Sequence, residues 1–486
     1  MRRTRLILGL ALAAAGLIAV GLYWRSRNAR VARGPNVVLI VLDTTRADFL
    51  SCYGFAQPTT PRLDAIASDG TRFAEAFATD YWTLPSHASI LTGLYPSEAG
   101  ATSATLQLAR RVETLAERFA SAGYRTGATV QNPWLSRECG FDQGFQDYHE
   151  LWKDPLNPTE SGNGDNTLPV DSVCAWLSEV ADDARPFFLF VNFNVPHLPY
   201  APPARLRRRF YTQEWSQRRV RRITAVQDDV PHLAGAMPFS AADYALMREL
   251  YAAEIALVDE WVGMIDDALG KLALRNQTML VITGDHGENI GERDAIGHQF
   301  SMYGTTLQVP LIIRLPGQTR ARRVVKEPVS LVNLATTLLH ACGLTVPADS
   351  PLAERHDLLA LPDMQEALVF AEDDPSPSFV ATIAERFPDF DAQGINRALR
   401  SVRTKRYRLI WKDGAAPELY DLWIDPGEER DRAAEEPEVV GELLNQLHNW
   451  REQTRVLQGV ERTEIRDSET LERLRALGYI ADSPPE

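Results

Sequence analysis

The sequence predicts a large doubly wound α/β domain followed by a smaller domain built around a short antiparallel sheet. Three observations carry that expectation. Continuous apolar runs end in polar residues at Asn36–Asp43 (NVVLIVLD), Phe187–Asn194 (FFLFVNFN) and Gln277–Thr283, the pattern of parallel strands covered on both faces. Helical patterns alternate with these runs, notably Leu246–Leu269 and Leu331–Leu339. After about Asp349 the chain changes character: Ala398–Trp411 alternates like a strand, and Asp413-Gly414 marks a turn towards Glu418–Leu422.

Taken in order, Arg2, Arg3 and Arg5 precede the uncharged run Leu6–Trp24, long enough to cross a bilayer, with Tyr23 and Trp24 suited to an interface. Residues 1–33 are therefore expected to be a membrane anchor and basic linker, with the rest of the chain exported to the periplasmic or extracellular side. A cleaved signal peptide is the alternative. Thr60–Ala67 reads as a capped helix with Gly70 near its end, Phe73–Ala78 and Tyr124–Val130 as strands, and Val112–Ser121 as an amphipathic helix. Asp154–Asp171 is rich in Asn, Pro, Gly and Ser and reads as a surface loop, and Arg205–Asp229 as an exposed insertion or lid. Val439, Val440, Leu443, Leu444, Leu447 and Trp450 share one helical face, suited to packing on the small sheet. The expected division is 34–349 for the catalytic domain, 350–455 for the C-terminal subdomain and 456–486 for a tail with no legible function.

The formal net charge of −14 argues against a nucleic-acid partner, which would call for a basic face. Cys52, Cys139, Cys174 and Cys342 form no CxxC or CxxH pattern, which removes zinc-finger and thioredoxin-like readings.

Chemistry gathers at strand ends, where open α/β sheets hold their ligands. Asp43-Thr44 follows the first run, and Asp285-His286 follows Gln277–Thr283. Thr83 opens Thr83-Leu84-Pro85-Ser86-His87, ahead of a buried helix whose N-terminus favours an alkoxide and an anionic ester. The bland alternative is that Thr83 or Ser86 merely caps that helix. Two carboxylates, an imidazole and a hydroxyl would form a divalent-metal site if the fold joins them. His197, in Pro196-His197-Leu198-Pro199-Tyr200, and His298 are candidates for binding ester oxygens or protonating a leaving group. His149, His340, His356 and His448 read as structural. A second metal at Asp228 and His232 would use their i, i+4 spacing, but Pro231 argues for a loop.

These motifs together, Asn36–Asp48, Pro58–Asp64, Thr83–Pro96, the His197 turn, Tyr251–Asp259, Thr283–Glu288 and Arg400–Asp431, resemble the sulfatase family of the alkaline phosphatase superfamily, in order from about Asn36 to about Trp450. The resemblance implies an alkaline-phosphatase-like α/β domain with a mixed central sheet, plus a smaller C-terminal α+β domain with a short antiparallel sheet. It implies one divalent cation (Ca, Mn, Mg or Zn) held by Asp43, Asp285 and His286, with Thr44 at a further ligand position, and Arg46, His197 and His298 binding substrate. Family members carry C-x-P-S-R, whose Cys or Ser becomes formylglycine. Thr83 stands at that position and is no known substrate for the conversion, so no formylglycine is expected. His87 replaces the motif arginine and His298 the following lysine.

A hydrolase of sulfated or phosphorylated esters (of a glycan or a lipid headgroup) is therefore expected, with Thr83 as nucleophile and His87, His197 and His298 serving the ester. The Thr83 variant also resembles phosphodiesterases and phosphoglycerol-type transferases that work through a phosphothreonine. A catalytically silent protein that binds an anionic glycan or headgroup is the non-enzymatic alternative.

Overall fold

The computed structural model describes residues 34–154, 167–360 and 368–477. The expected anchor, Leu6–Trp24, lies outside the described residues. Among the described residues no helix is long and apolar enough to cross a membrane.

Among the described residues fifteen strands run in chain order as β1 (Asn36–Leu42), β2 (Thr71–Phe77), β3 (Arg125–Val130), β4 (Asp147–Glu150), β5 (Phe187–Phe193), β6 (Thr278–Gly284), β7 (Asn289–Ile290), β8 (Ile296–Gly297), β9 (Gln308–Arg314), β10 (Arg323–Val325), β11 (Val329–Ser330), β12 (Val369–Asp373), β13 (Leu399–Arg403), β14 (Tyr407–Lys412) and β15 (Glu418–Asp421). The large sheet has the order β10-β2-β9-β6-β1-β5-β3-β4, with β11 also on β2. It is mixed, as expected: β1 pairs parallel with β5 and β6, while β9 runs antiparallel to both β2 and β6.

β1 explains why the sheet sits at the centre. All seven of its residues are buried, and they alternate between two cores. Val37, Leu39 and Val41 face the core that holds the Thr83–Thr92 helix, whereas Val38, Ile40 and Leu42 face the one that holds the long Ala241–Lys271 helix. A strand with helices on both faces has no polar face to spare, hence its unbroken apolar run.

The small sheet is antiparallel, in the order β12-β13-β14-β15. The Pro437–Gln453 helix packs on it through Leu443 and Leu447, and Trp450 stacks on Phe370 at 4.8 Å between ring centroids. All four cysteines are free.

Several local expectations change. The Pro61–Asp69 helix is not capped by the Thr60 side chain; the Asp259 carboxylate, from the long helix, accepts the first-turn N–H groups of Arg62 and Leu63 at 3.0 and 2.8 Å. The amphipathic stretch at Val112 becomes helical only at Leu115, where Thr114 and Glu117 form a capping box. The stretch read as a loop up to Asp171 turns helical at Leu168, with Pro169 in the first turn. The Arg205–Asp229 segment forms two short helices anchored by Leu206, Phe210, Val220 and Ile223, which join the core around the long helix. The tail is also built in: the Leu457 and Thr463 N–H groups donate to the Ser97 and Thr105 carbonyls, and a last helix, Ser468–Ala476, buries Leu474.

Candidate active site

Neighbouring strands bring the predicted residues together. β1 lies between β5 and β6, so Asp43 and Asp285 emerge side by side from the carboxyl edge of the sheet. Asp43 is fully buried; its Oδ2 accepts from Asn132 Nδ2 at 2.7 Å, and its Oδ1 has no hydrogen-bond partner. Asp285, also fully buried, accepts at Oδ1 from the backbone N–H groups of Thr44 (3.0 Å) and His286 (2.8 Å), leaving Oδ2 without a partner.

His286 completes the set. Its Nδ1 lies 3.0 Å from the Gly287 carbonyl, which can only accept, so Nδ1 carries the proton and Nε2 presents a lone pair. That lone pair sits 3.4 Å from Asp285 Oδ2 and 3.9 Å from Asp43 Oδ1. Ligand atoms of the three residues lie within 4.8 Å of one another. Three buried electron-pair donors aimed at one point repel unless a cation lies among them, and two carboxylates with an imidazole suit a divalent ion. The residues fit the metal that the sequence implies.

Without a cation, burial opposes charge on all of them. It lifts the Asp43 carboxyl to about 7 and Asp285 well above the carboxylate range, and it presses His286 down to about 3.

Thr44 lies next to this group with φ +51°, a conformation that a β-branched residue rarely adopts. Its N–H donates to Asp285, and its carbonyl accepts the Tyr251 hydroxyl at 2.7 Å. The strain buys a backbone donor aimed at a ligand carboxylate.

Thr83 is the first residue of its helix; Trp82 occupies the cap position and no side chain caps that end. The capping alternative therefore does not hold for Thr83 or for Ser86, whose hydroxyl donates to the Asp285 carbonyl at 2.5 Å. Thr83 Oγ1 instead accepts from Asn132 Nδ2 at 3.2 Å, the amide that also holds Asp43. Asn132, Asn192 and Asn194 are site residues that sequence reasoning missed. Asn194 Oδ1 accepts from Asn132 Nδ2, and Asn192 Oδ1 accepts the Asn132 backbone N–H. Their one signal was position, at or just past the ends of β3 and β5.

Among the predicted histidines, His286, His298 and His197 form a row, with ring centroids 4.6 and 5.6 Å apart. His197 Nδ1 donates to the Leu198 carbonyl at 2.6 Å, and burial lowers its pKa to about 4; burial lowers His298 as well. His87 approaches the same Asp285 oxygen as His286: its Nδ1 is 2.9 Å from the Thr83 carbonyl and 3.3 Å from Asp285 Oδ2, and Nε2 lies 3.4 Å from the Asn192 amide. Burial holds it at about 4, so it is neutral and carries no cationic charge to replace an arginine.

Arg46 is a correction. It is 4% exposed and its guanidinium is occupied by Asp48, Glu292 and the Glu288 carbonyl, so it braces the loop after β1 instead of meeting a substrate. Asp228 and His232 do not meet over a metal: Asp228 pairs with Arg386, and His232 bonds to the Met237 and Asp294 carbonyls. Beside the histidine row lies a narrow alcove lined by His197, Glu288, His298 and Leu477, the last from the tail.

Comparison with known proteins adds a family. A sulfatase family model matches residues 35–344, and a second, described as N-sulphoglucosamine sulphohydrolase, C-terminal, matches residues 291–455. The uncharacterized sulfatase YidJ of Escherichia coli is 24% identical over 434 residues, covering 81% of this chain and 82% of its own. The N-acetylglucosamine-6-O-sulfatase of Bacteroides thetaiotaomicron is 24% identical over 471 residues, with 81% and 82% covered. In fold, the chain is similar to the phosphonate monoester hydrolase of Agrobacterium radiobacter, with a TM-score of 0.68 at 24% identity over 87% of this chain and 96% of that one.

Proposed function

The chain belongs to the sulfatase family and is an ester hydrolase, and on that premise we propose that it cleaves sulfate or phosphate esters with Thr83 as nucleophile, beside a divalent cation held by Asp43, Asp285 and His286. One observation carries this reading: three buried ligand atoms without a counter-charge converge next to a hydroxyl that shares a hydrogen-bond donor with one of them. A divalent cation bound there would lower the pKa of the hydroxyl and screen the charge on the ester.

The chain's own residues do the rest. Asn132 fixes the Thr83 hydroxyl against Asp43, and Asn194 fixes Asn132. The helix N-terminus at Thr83 favours negative charge on the attacking oxygen. Thr83 Oγ bonds to sulfur or phosphorus as the bond to the alcohol oxygen breaks, and the alcohol leaves with a proton. Water then attacks the threonine ester, releasing sulfate or phosphate and restoring Thr83. His197, held by its Nδ1–H on Leu198, and His298 next to it in the histidine row are the side chains placed to meet the ester oxygens and the leaving group. His87 acts through position: it steadies the Thr83 carbonyl and Asp285 instead of protonating a leaving group. Export through Leu6–Trp24, and the division at about residues 349 and 455, belong to the same proposal.

Thr83 favours phosphorus within this scheme. A formylglycine hydrate expels sulfate by collapsing to the aldehyde; a threonine ester has no such route and must be attacked directly. A phosphodiester substrate, with an alcohol acceptor in place of water, is the second reading that this chemistry favours.

The test incubates the protein with divalent metals and matched sulfate, phosphomonoester and phosphodiester substrates, alongside Thr83→Ala. Turnover that requires Thr83, with phosphate trapped on that residue by mass spectrometry, is the expected result. Turnover that survives Thr83→Ala would refute the nucleophile. No turnover of any ester would favour the silent binding protein.

A further inference from the structure

A cavity of about 150 Å³ opens between the site and the C-terminal domain. Its walls are chain neighbours of the site residues. Tyr81 and Trp82 immediately precede Thr83, Trp134 follows Asn132 by two positions, and Phe300 follows His298 by two. Phe379, from the Pro377–Arg386 helix, closes the far side. The rings form two packed pairs: Trp82 meets Trp134 edge-on at 5.6 Å, and Phe300 lies against Phe379 at 6.1 Å.

Two hydroxyls that could have made this wall polar face elsewhere. Tyr81 Oη donates to Asp373 Oδ2 at 2.6 Å, and Ser103 Oγ to Asp373 Oδ1 at 3.3 Å. The cavity is thus offered mainly carbon by its aromatic walls, with fewer polar side chains, those of Gln299, Ser376, Thr382 and Arg462, on the rest of its lining. A sugar ring entering it would bring several hydroxyls to few partners, at a cost for each one left unpaired. An apolar cavity of about this volume takes a single six-membered aromatic ring, and facing aromatic edges suit one.

Building on the reading of Thr83 as nucleophile, we propose that this cavity is the subsite for the alcohol part of the substrate, and that the alcohol carries an apolar aromatic ring instead of a sugar. The C-terminal domain then contributes to specificity, because Phe379 belongs to it.

The test separates binding from turnover. The non-cleaving full-length Thr83→Ala protein is titrated with benzyl, ethyl and glucose-6-yl phosphates, and with the matching sulfates, following tryptophan fluorescence. These are all esters of alkyl alcohols, so leaving-group acidity is similar. The ring ester is expected to bind roughly tenfold or more tightly than the other two. Phe379→Ala and Trp134→Ala, each checked for an unaltered melting temperature, should bring that ratio towards one. Equal affinities, tighter binding of the glucose ester, no binding of any ester, or a ratio insensitive to both variants would overturn the proposal. Turnover by the unmodified enzyme reports separately on Thr83: ring-selective binding without turnover sinks only the hydrolytic scheme, and turnover without ring preference sinks only the subsite.

Discussion

Two buried charged groups in this protein look alike in burial and differ in company. At the carboxyl edge of the large sheet, Asp43, Asp285 and His286 are fully buried, and their facing atoms have no positive partner. Where the two sheets meet, Arg408 and Glu428 are also buried, each side chain 3% exposed, but they form an ion pair at 2.5 Å; Glu428 further accepts the Gly304 N–H at 2.6 Å. Burial of charge is therefore not what marks the site. The convergence of three ligand atoms without a counter-charge is, because such groups must either hold a proton or meet a cation from outside the chain.

The strongest way to break this contrast is to remove charge from each side and compare signs. Asp285→Asn should lower kcat/KM by several kcal/mol, on the order of a thousandfold, by losing a metal ligand. The same change should raise the melting temperature of the metal-free protein, since it relieves an uncompensated buried carboxylate. Turnover assays and thermal melts in chelator read the two effects; a metal-free variant less stable than the parent would argue that the triad is scaffold.

Arg408→Met should do the opposite. It leaves Glu428 buried without its cation and should cost about 3–5 kcal/mol of stability, measured by denaturant titration. Adding Glu428→Gln should restore part of that loss.

The legible half of the molecule follows the same division. β1, β5 and β6 were readable because strands covered on both faces must be apolar throughout, and their polar ends stood out for that reason. Asp43, Asp285 and His286 were found that way. The reversed direction of β9 was not readable from its residues, since an antiparallel neighbour buried within the sheet needs the same apolar run. The asparagines were missed because Asn at a strand end is ordinary turn chemistry until its amide is seen between Asp43 and Thr83. Arg46, which the resemblance offered as a substrate binder three residues past Asp43, could be read otherwise only from the fold, where Asp48 and Glu292 already hold it. The tail offered no pattern because its apolar residues are scattered among charged ones, and what fixes it are backbone bonds to distant carbonyls and single anchors such as Leu474.

pH sharpens the contrast further. Burial raises Asp43 from 3.8 to about 7, so the metal-free native state keeps a proton that the unfolded chain releases. Its contribution to stability is complete below 3.8 and is lost as pH rises towards and through 7. Metal binding needs the carboxylates ionised, so stabilisation by metal grows over the same range. Melting temperatures between about pH 5 and 8 should fall more steeply for the metal-free parent than for Asp43→Asn, and metal should remove that difference. Parallel slopes would refute the link to Asp43.

The smallest expected effect tests whether the site needs more than its ligands. Asn132 binds no substrate atom in this scheme and carries no charge, yet its Nδ2 reaches Asp43 Oδ2, Thr83 Oγ1 and Asn194 Oδ1. Asn132→Ala should therefore cut kcat/KM or metal affinity by about 10–100-fold, the range for partners that orient ligands. If the amide chiefly aims the hydroxyl, kcat should fall with metal affinity little changed; if it chiefly holds Asp43, metal titration should show the loss first and excess metal should rescue turnover. A purely structural role predicts neither pattern, only a lower melting temperature with kinetic constants intact. Asn132 thus distinguishes an active site assembled around Thr83 from a metal site that happens to have a threonine near it.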